Sequence, residues 1–306
     1  MRCCRADSAR RRRSALRPNR LTFAVLRLYV PLQLVLIAAG VYAAVNADWP
    51  VVLGIAFSVG FITGSQGITF AHELGHSKSK IDRFCAWVLM ISVCYGHFMV
   101  EHYRGHHPRA ATQDDPATAR FGESLYHFLP RSVWGSFASG WRLEAQRLNQ
   151  FRQRWRRSPL VWSSAVSLMT FVLAAPYFYA LTAMKVIALL AVQSVIAFVL
   201  LEIVNYVEHY GLQRQPVGDG ASSKPAPFGL RHAWNADHVV SNSMLANLQR
   251  HSDHHMHAWK PTPRWRCCPA RSYRRVTLAA SCWPCSRRCG LRGCTRASRA
   301  WASRPW

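Results

Sequence analysis

The stretch Val51–His76, VVLGIAFSVGFITGSQGITFAHELGH, joins a long apolar run directly to a pair of histidines. Its first part, Val51–Phe70, contains no charged side chain. A helix needs about 20 apolar residues to cross the hydrocarbon core of a bilayer. The stretch therefore predicts a membrane-spanning helix that ends at a cluster of imidazoles.

Three other apolar runs of similar length lie before and after this one. They pair into two hairpins, which residues 45–50 and the dipeptide at Met184 and Lys185 would link. Buried core helices of a soluble protein are the alternative, but four near-continuous runs of this length are rare in soluble chains. The sequence predicts an all-α integral membrane protein made of transmembrane helix hairpins. The four predicted spans are approximately residues 21–44, 51–70, 161–183 and 186–204.

The net charge of +25 comes mainly from the two ends of the chain. Residues 1–20 contain eight Arg and one Asp, and residues 258–306 contain eleven Arg, one Lys and no acid. Because the body of the chain carries little of this excess, we expect no nucleic-acid partner. Residues 1–20 and the long loop 71–159 both carry more basic than acidic side chains, which predicts that both lie on the cytoplasmic side of the membrane. The histidine clusters would then share the cytoplasmic end of the helices.

Histidines are concentrated in four short motifs. On a helix, side chains four residues apart lie on one face. The pair His72 and His76 and the pair His102 and His106 are therefore each expected to share a face. The motifs are HELGH (His72–His76), EHYRGHH (Glu101–His107), EHYG (Glu208–Gly211) and LQRHSDHHMH (Leu248–His257).

These motifs supply more imidazoles than one metal ion needs. Zinc takes four ligands, so the HExxH pattern of a zinc protease would leave most of the histidines unexplained. Imidazole suits iron as well as zinc, copper and nickel, and no bridging carboxylate pattern such as Glu-x-x-His is present, so we predict an all-histidine di-iron site. No catalytic residue is predicted beyond the metal ligands. The candidate ligands are His72, His76, His102, His106, His107, His209, His251, His254 and His255.

An acidic residue lies beside a histidine in each cluster: Glu73, Glu101, Glu208 and Asp253. Successive side chains on a helix point about 100° apart, so these acids are not expected to bind the same ion as their neighbours. We predict instead that they accept N–H hydrogen bonds from metal-bound imidazoles. For Glu101 and Asp253, exposure to solvent is an equally good interpretation.

The other histidines have simpler interpretations. His97, His127 and His232 are predicted to be packing or surface residues. His238 and His257 lie near the clusters in sequence, but no role is predicted for either.

The boxes H-x3-H, H-x3-HH and H-x2-HH resemble those of the membrane fatty-acid desaturase and hydroxylase superfamily. The longer strings HELGHS, EHYRGHHPRAATQDDPATAR, NYVEHYGL and LQRHSDHHMH resemble its alkane 1-monooxygenase branch, over residues 21–263. The resemblance implies that the nine histidines bind two iron ions in an enzyme of the bacterial inner membrane, with the active site facing the cytoplasm. It implies terminal hydroxylation of medium-chain n-alkanes with O2, with electrons from reduced rubredoxin and an NAD(P)H-dependent rubredoxin reductase.

The chain also departs from the pattern of that family. Family members usually have six spans, so we expect that two helices are missing ahead of the first predicted span. Residues 264–306 are rich in Arg and Cys and contain no acid, and we predict a frameshift near Arg264–Cys267. A genuine disordered basic tail is the alternative, and the tail's CWPC motif is only a weak zinc signal. The predicted organisation is a basic segment 1–20, a membrane hydroxylase domain 21–263 and a tail 264–306.

Several functional alternatives stay open from the sequence. A fatty-acid desaturase or a methyl-arene hydroxylase could use the same metal site, and an inactive fragment of an alkane hydroxylase could keep all the ligands. Rubredoxins are typically acidic, so the basic cytoplasmic face could attract one. The same side chains could equally serve only to set membrane orientation.

Overall fold

The computed structural model of the protein describes residues 20–174, 180–218, 224–236 and 238–258. The predicted basic segment up to residue 19 and the predicted tail 264–306, with its CWPC motif and expected frameshift, lie outside the described residues.

The described residues form an almost entirely helical protein, which confirms the predicted fold class. One short antiparallel pair of strands, β1 (Pro216–Val217) and β2 (Lys224–Pro225), lies after the last long helix. Two π-helical turns, Thr63–Ile68 and His102–His106, and one 3-10 turn, Trp155–Arg157, interrupt or join the helices. The helices are α1 (Arg20–Val45), α2 (Trp49–Ile62), α3 (Thr69–Gly75), α4 (Lys80–Ser92), α5 (Phe98–Glu101), α6 (His107–Arg109), α7 (Leu125–Gln150), α8 (Pro159–Ala174), α9 (Ala180–His209), α10 (Val239–Met244) and α11 (His251–Met256).

Within the part of the chain that the structure describes, three helical stretches are long and apolar enough to cross a membrane, namely Leu21–Val45, Trp49–Gly75 and Thr182–His209. The second runs from α2 through the first π turn into α3, so the apolar span continues without a break into the helix that carries the HELGH motif. The apolar part of α8, Pro159–Val172, is shorter. The predicted first and second spans therefore correspond to long helices, whereas the third and fourth are divided differently.

The predicted link at Met184 and Lys185 is wrong, because both residues lie inside α9. Lysine has a high helix propensity, and its long apolar stem can lie along the helix while the charge reaches outward. A single lysine therefore does not end an apolar helix. α8 ends at Ala174, and residues 175–179, which include Pro176, lie outside the described residues.

Two glycines allow the second span to pack closely against α9. A Cβ atom at Gly60 would lie 2.7 Å from the carbonyl oxygen of Gln193, and a Cβ atom at Gly64 would lie 2.7 Å from Cα of Ala197. Small residues permit such close approach between membrane helices, where packing rather than hydrophobic burial holds helices together. This contact brings the ends of α3 and α9, and so two histidine motifs, next to each other.

A buried network of hydrogen bonds around Ser92, the last residue of α4, links this helix to α1, α9 and the first π turn. Gln33 of α1 donates a hydrogen bond to Oγ of Ser92 at 2.7 Å, and Gln193 of α9 donates one to its carbonyl oxygen at 2.9 Å. Thr63 in turn donates to Oε1 of Gln193 at 3.1 Å. Since polar groups in an apolar bundle are costly unless paired, these bonds favour one arrangement of the helices.

Candidate metal centre

Helical winding decides how the histidines are distributed. In a π turn the backbone hydrogen bond joins residues five apart, and such turns are frequent at functional sites. His102 and His107 are five apart at the second π turn, and their Nε2 atoms lie 3.1 Å from each other. His106, although four residues from His102, belongs to a different group of ligands. The rings of His102 and His106 are stacked with their centroids 5.3 Å apart, so the two side chains share a face as predicted, although they contribute to different groups.

All nine candidate ligands converge, and they do so in two groups. The ligand nitrogens within each group lie within 4.8 Å of one another. The first motif contributes only to the first group and the third motif only to the second, whereas the second and fourth motifs contribute to both. The first group is His72, His76, His102, His107 and His254, and the second is His106, His209, His251 and His255.

The distances between ligand nitrogens match those expected around a metal ion. Nε2 of His254 lies 3.1 Å from Nε2 of His72, and Nε2 of His251 lies 3.1 Å from that of His209 and 2.9 Å from that of His255. Two nitrogens each about 2.1 Å from one ion are about 3.0 Å apart at a right angle and about 3.4 Å apart at the tetrahedral angle. Each group therefore has the spacing of ligands that share one ion.

Burial favours the neutral form of most of these imidazoles, which is the form that binds metals. It lowers the pKa of His102, His254 and His255 well below 6.5, and the neighbouring imidazoles lower it further. A neutral imidazole has one protonated nitrogen and one with a free lone pair. Because several Nε2 atoms face one another in each group, they cannot all donate to one another. A cation satisfies the converging lone pairs, so the residues fit a pair of metal ions.

Asp115 contacts His106, one of these candidate ligands, and the sequence does not predict this contact. Its Oδ2 atom lies 2.9 Å from Nδ1 of His106 and accepts a second hydrogen bond from Thr118 at 2.6 Å. Nε2 of His106 is buried and forms no hydrogen bond with the residues that the structure describes. Burial would lower the pKa of His106, but the Asp115 carboxylate outweighs it and raises that pKa. Asp115 thus fixes which nitrogen of His106 faces the second group.

Asp115 carried no distinguishing signal in the sequence, where it follows the equally acidic Asp114. The structure separates them, since Asp115 is buried and Asp114 is exposed. A second contact that sequence reasoning missed is the backbone carbonyl of His232, which lies 3.4 Å from Nδ1 of His209. A backbone acceptor has no signature in side-chain spacing.

The predicted acidic partners behave in different ways. Oε2 of Glu208 lies 3.2 Å from Nδ1 of His251, which is within ion-pair distance but lacks the geometry of a hydrogen bond. Oδ1 of Asp253 lies 3.0 Å from Nδ1 of His257, which belongs to neither group. Glu73 is buried at the end of α3.

Glu101 is buried and forms hydrogen bonds different from those predicted. Its carboxylate accepts from Arg109 at 2.8 and 3.1 Å and from Ser139 at 2.7 Å. Since both partners come from outside the histidine groups, Glu101 ties the second motif to α7. The solvent-exposed interpretation of Glu101 is therefore wrong.

The remaining histidines lie around the site. His97 is buried, with its ring 4.2 Å from that of Tyr95 and 5.4 Å from that of Phe137 between centroids. His232 is also buried, and its Nδ1 accepts a hydrogen bond from the backbone of Gly229 at 2.9 Å. His127, His238 and His257 are exposed.

An apolar cavity of about 210 Å³ adjoins both groups of histidines. It is lined by His72 and His102 of the first group and His251 of the second, and its other walls come mainly from the first π turn and α9. The walls are mostly aliphatic or aromatic. The apolar lining residues include Phe61, Ile68, Phe98, Leu200, Leu201 and Leu248.

Comparison with known proteins identifies similar sequences. The family model described as "Fatty acid desaturase" matches residues 47–285. The chain is 42% identical over 216 residues to alkane 1-monooxygenase 2 of Pseudomonas aeruginosa, covering 69% of this chain and 55% of that protein. It is 39% identical over 230 residues to an alkane 1-monooxygenase of Ectopseudomonas oleovorans, covering 74% of this chain and 52% of that one.

A more distant relative is the xylene/toluene monooxygenase hydroxylase component of Pseudomonas putida, which is 25% identical over 207 residues, covering 67% of this chain and 53% of that protein. The chain spans about half the length of the curated relatives that it matches.

Proposed function

The chain belongs to the fatty acid desaturase family, and from this premise we propose that it acts as an alkane 1-monooxygenase. The proposed reaction is the O2-dependent hydroxylation of the terminal carbon of medium-chain n-alkanes to 1-alkanols. The observation that carries the proposal is the convergence of nine imidazoles, in groups of five and four, beside an apolar cavity that three of them line. The similarity to alkane 1-monooxygenases supports it.

Two iron ions are the proposed cofactors, one held by each group of histidines. When bound, they would supply the redox chemistry by which O2 oxidises a C–H bond. The chain's own residues hold and orient the ligands: Asp115 aims His106, and the Glu208 carboxylate lies within ion-pair distance of His251. Second partners of this kind fix the tautomer and ring orientation of metal-bound histidines.

The apolar cavity is the proposed site for the alkane chain. An alkane has no polar group to recognise, so its binding free energy must come from burial, at about 0.8 kcal/mol per CH2. Of the histidines that line the cavity, His72 and His251 belong to different groups. A chain that fills the cavity would therefore present its terminal carbon between the two proposed iron positions.

The proposed setting is the bacterial inner membrane, with membrane lipid around the long helices and the histidine end facing the cytoplasm. Reduced rubredoxin, with its NAD(P)H-dependent reductase, is the proposed electron donor.

Four exposed arginines cluster after α7 and would attract an acidic partner such as rubredoxin: Arg152, Arg154, Arg156 and Arg157. If they do, turnover with rubredoxin falls as salt is raised. Turnover that is independent of salt would leave these side chains with a role in orientation only.

The second candidate is a methyl-arene hydroxylase, which the similarity to the xylene/toluene monooxygenase component favours. A desaturase acting on an acyl chain is a further alternative within the family. Product analysis with octane, xylene and an acyl substrate separates these activities, because each gives a different product.

The proposal is tested on protein purified from membranes, by measuring bound metal together with conversion of octane to 1-octanol in the presence of rubredoxin and reductase. We expect two irons per chain and 1-octanol as the product. The His107→Ala variant should lose iron and activity, whereas the matched control His127→Ala, at an exposed position, should keep both. Iron without turnover on any of the substrates would favour the inactive fragment. One zinc per chain would contradict the proposal and favour a protease-like site.

A further inference from the structure

A second cavity adjoins the histidines and is not explained by alkane binding; it is called the polar cavity here because most of the side chains around it carry a polar group. Its volume is about 10 Å³, close to the roughly 10–15 Å³ that a single water molecule requires. It touches one ligand from each group, His102 and His106. Phe98, His102 and Asn205 line both this cavity and the apolar one, so they separate the two. The other lining residues include Tyr95, His97, Glu101, Ser136 and Glu202.

Glu202 is the most unusual of these residues, because it is a carboxylic acid buried inside an apolar spanning helix. Tyr95 donates a hydrogen bond to its Oε1 atom at 2.8 Å, while Ser132 and Asn205 donate to Oε2. Ionisable side chains in such helices are costly, and they commonly mark ion pathways and proton relays. None of the three partners of Glu202 is a proposed metal ligand.

His97 provides an independent sign that the cavity binds a polar molecule. Its side chain is only 6% exposed. Its Nε2 atom is buried and has no hydrogen-bond partner within the described part of the chain. A buried polar atom without a partner is costly, and a small polar cavity beside it is the kind of site that ordered water occupies.

Three serines extend this polar region along one face of α7. Ser132, Ser136 and Ser139 are all buried, and their spacing of four and three residues puts them on one side of the helix. Ser132 donates to Glu202, and Ser136 lines the cavity. Ser139 donates to Glu101 at 2.7 Å and accepts from Arg109 at 2.7 Å.

Arg109 is the outer end of this row of polar groups, with 29% of its side chain exposed. The polar groups therefore lie in the order Arg109, Ser139, Ser136, Ser132 and Glu202, with hydrogen bonds from Arg109 to Ser139 and from Ser132 to Glu202 and with Ser136 lining the cavity between them. The row reaches the metal centre at His102 and His106 through the polar cavity.

We propose that this row of polar groups, with one water molecule in the cavity, delivers protons to the metal centre. Glu202 is the residue of the row that transfers them to the cavity water. The inference rests on the proposed function. Hydroxylation consumes one alkane, one O2, two electrons and two protons, and it releases one alcohol and one water. The electrons come from a one-electron donor protein such as rubredoxin, so the protons must arrive separately. The protons would reach the site through the polar cavity, which lies beside the apolar cavity, so water need not enter the space that the alkane occupies.

The first test does not depend on turnover. A high-resolution structure of the purified protein should contain a water molecule within hydrogen-bonding distance of Nε2 of His97. In the Ser136→Val variant, which replaces the lining hydroxyl with two methyl groups, this water should be absent. A dry cavity in the unsubstituted protein would overturn the proposal.

The second test compares Glu202→Gln, which keeps the shape but cannot release a proton, with Glu202→Asp, which can. The Gln variant should keep its iron but lose octane turnover by about 100-fold, as is common when a proton-transfer residue is removed. Its solvent deuterium isotope effect should rise, and Glu202→Asp should recover much of the rate. The matched control Glu123→Gln changes an acid paired with Arg131 outside the cavity and should leave turnover and isotope effect unchanged.

The outcomes separate this inference from the proposed function. If the unsubstituted protein lacks iron and forms no octanol, the proposed function itself fails. If that protein is active but Glu202→Gln retains its rate and isotope effect, only the proton route fails. Should Glu202→Gln lose its iron, Ser136→Val decides: unchanged turnover with full iron content would also overturn the route.

Discussion

At the scale of single residues, the site depends on side chains that fix the direction of an imidazole. The sequence predicted all nine histidines, because clusters at helical spacing are visible in one dimension. It did not predict Asp115, because its contact with His106 depends on how the loop folds back over nine residues. Nor did it predict that Glu101 bonds Arg109 and Ser139. Which acid faces which imidazole depends on tertiary geometry that spacing along a chain does not contain.

Asp115→Asn should release iron from the second group of histidines more than from the first. An amide can present its NH2 group to His106 and so favour the wrong tautomer, and losses of such partners weaken metal binding by about 10- to 100-fold. We expect the iron content to fall from two towards one per chain, measured by elemental analysis after dialysis against a mild chelator. The neighbouring Asp114→Asn, at an exposed position, is the control. Equal iron in both variants would mean that Asp115 does not orient a ligand.

At the scale of helices and turns, the decisive features are the two π turns and the close contact between the second span and α9. Apolar runs predicted the long helices, but they did not predict the π turn that brings His107 beside His102. A π turn and an α-helix have the same sequence pattern, and packing selects between them. The predicted break between the last two spans is wrong because Lys185 interrupts the apolar run without ending the helix that contains it.

Gly60→Ala should destabilise the helix contact, because its new methyl group would lie 2.7 Å from a backbone oxygen of α9. Overpacking of this kind costs about 1–3 kcal/mol, so the thermal unfolding temperature in detergent should fall. Gly54→Ala in the same helix is the matched control, since a Cβ there meets no atom within 4 Å. The control should be neutral or slightly stabilising, because alanine has the higher helix propensity. Similar unfolding temperatures for the two variants would contradict the packing account.

At the scale of the whole molecule, the bundle brings an apolar cavity and the two histidine groups to the same end of the long helices. The sequence predicted that the histidine motifs share one end of the helices, from their position at the ends of apolar runs. It could not predict the cavity itself, whose walls combine residues from α2, the first π turn, α9 and the segment before α11. A cavity forms where packed helices leave space between them, so the sequence of one segment does not predict it.

Ile68→Phe should narrow the apolar cavity and shift substrate preference towards shorter alkanes. Ile68 is buried and lines the cavity, whereas Ile62 in the same span is 38% exposed and does not. The larger ring occupies space that the outer methylene groups of octane would fill, so KM for octane should rise relative to hexane while iron content is unchanged. The same substitution at Ile62 should leave the ratio as it is. An unchanged hexane-to-octane preference in Ile68→Phe would argue against this cavity as the alkane site.

The central claim is that two irons lie in an all-histidine environment, and iron K-edge X-ray absorption on the detergent-purified protein tests it most directly. The account predicts two irons per chain and a nearest shell of light N/O scatterers with the multiple-scattering pattern of imidazole. A nearest shell containing sulfur, or a protein that binds a single zinc in place of iron, would contradict it.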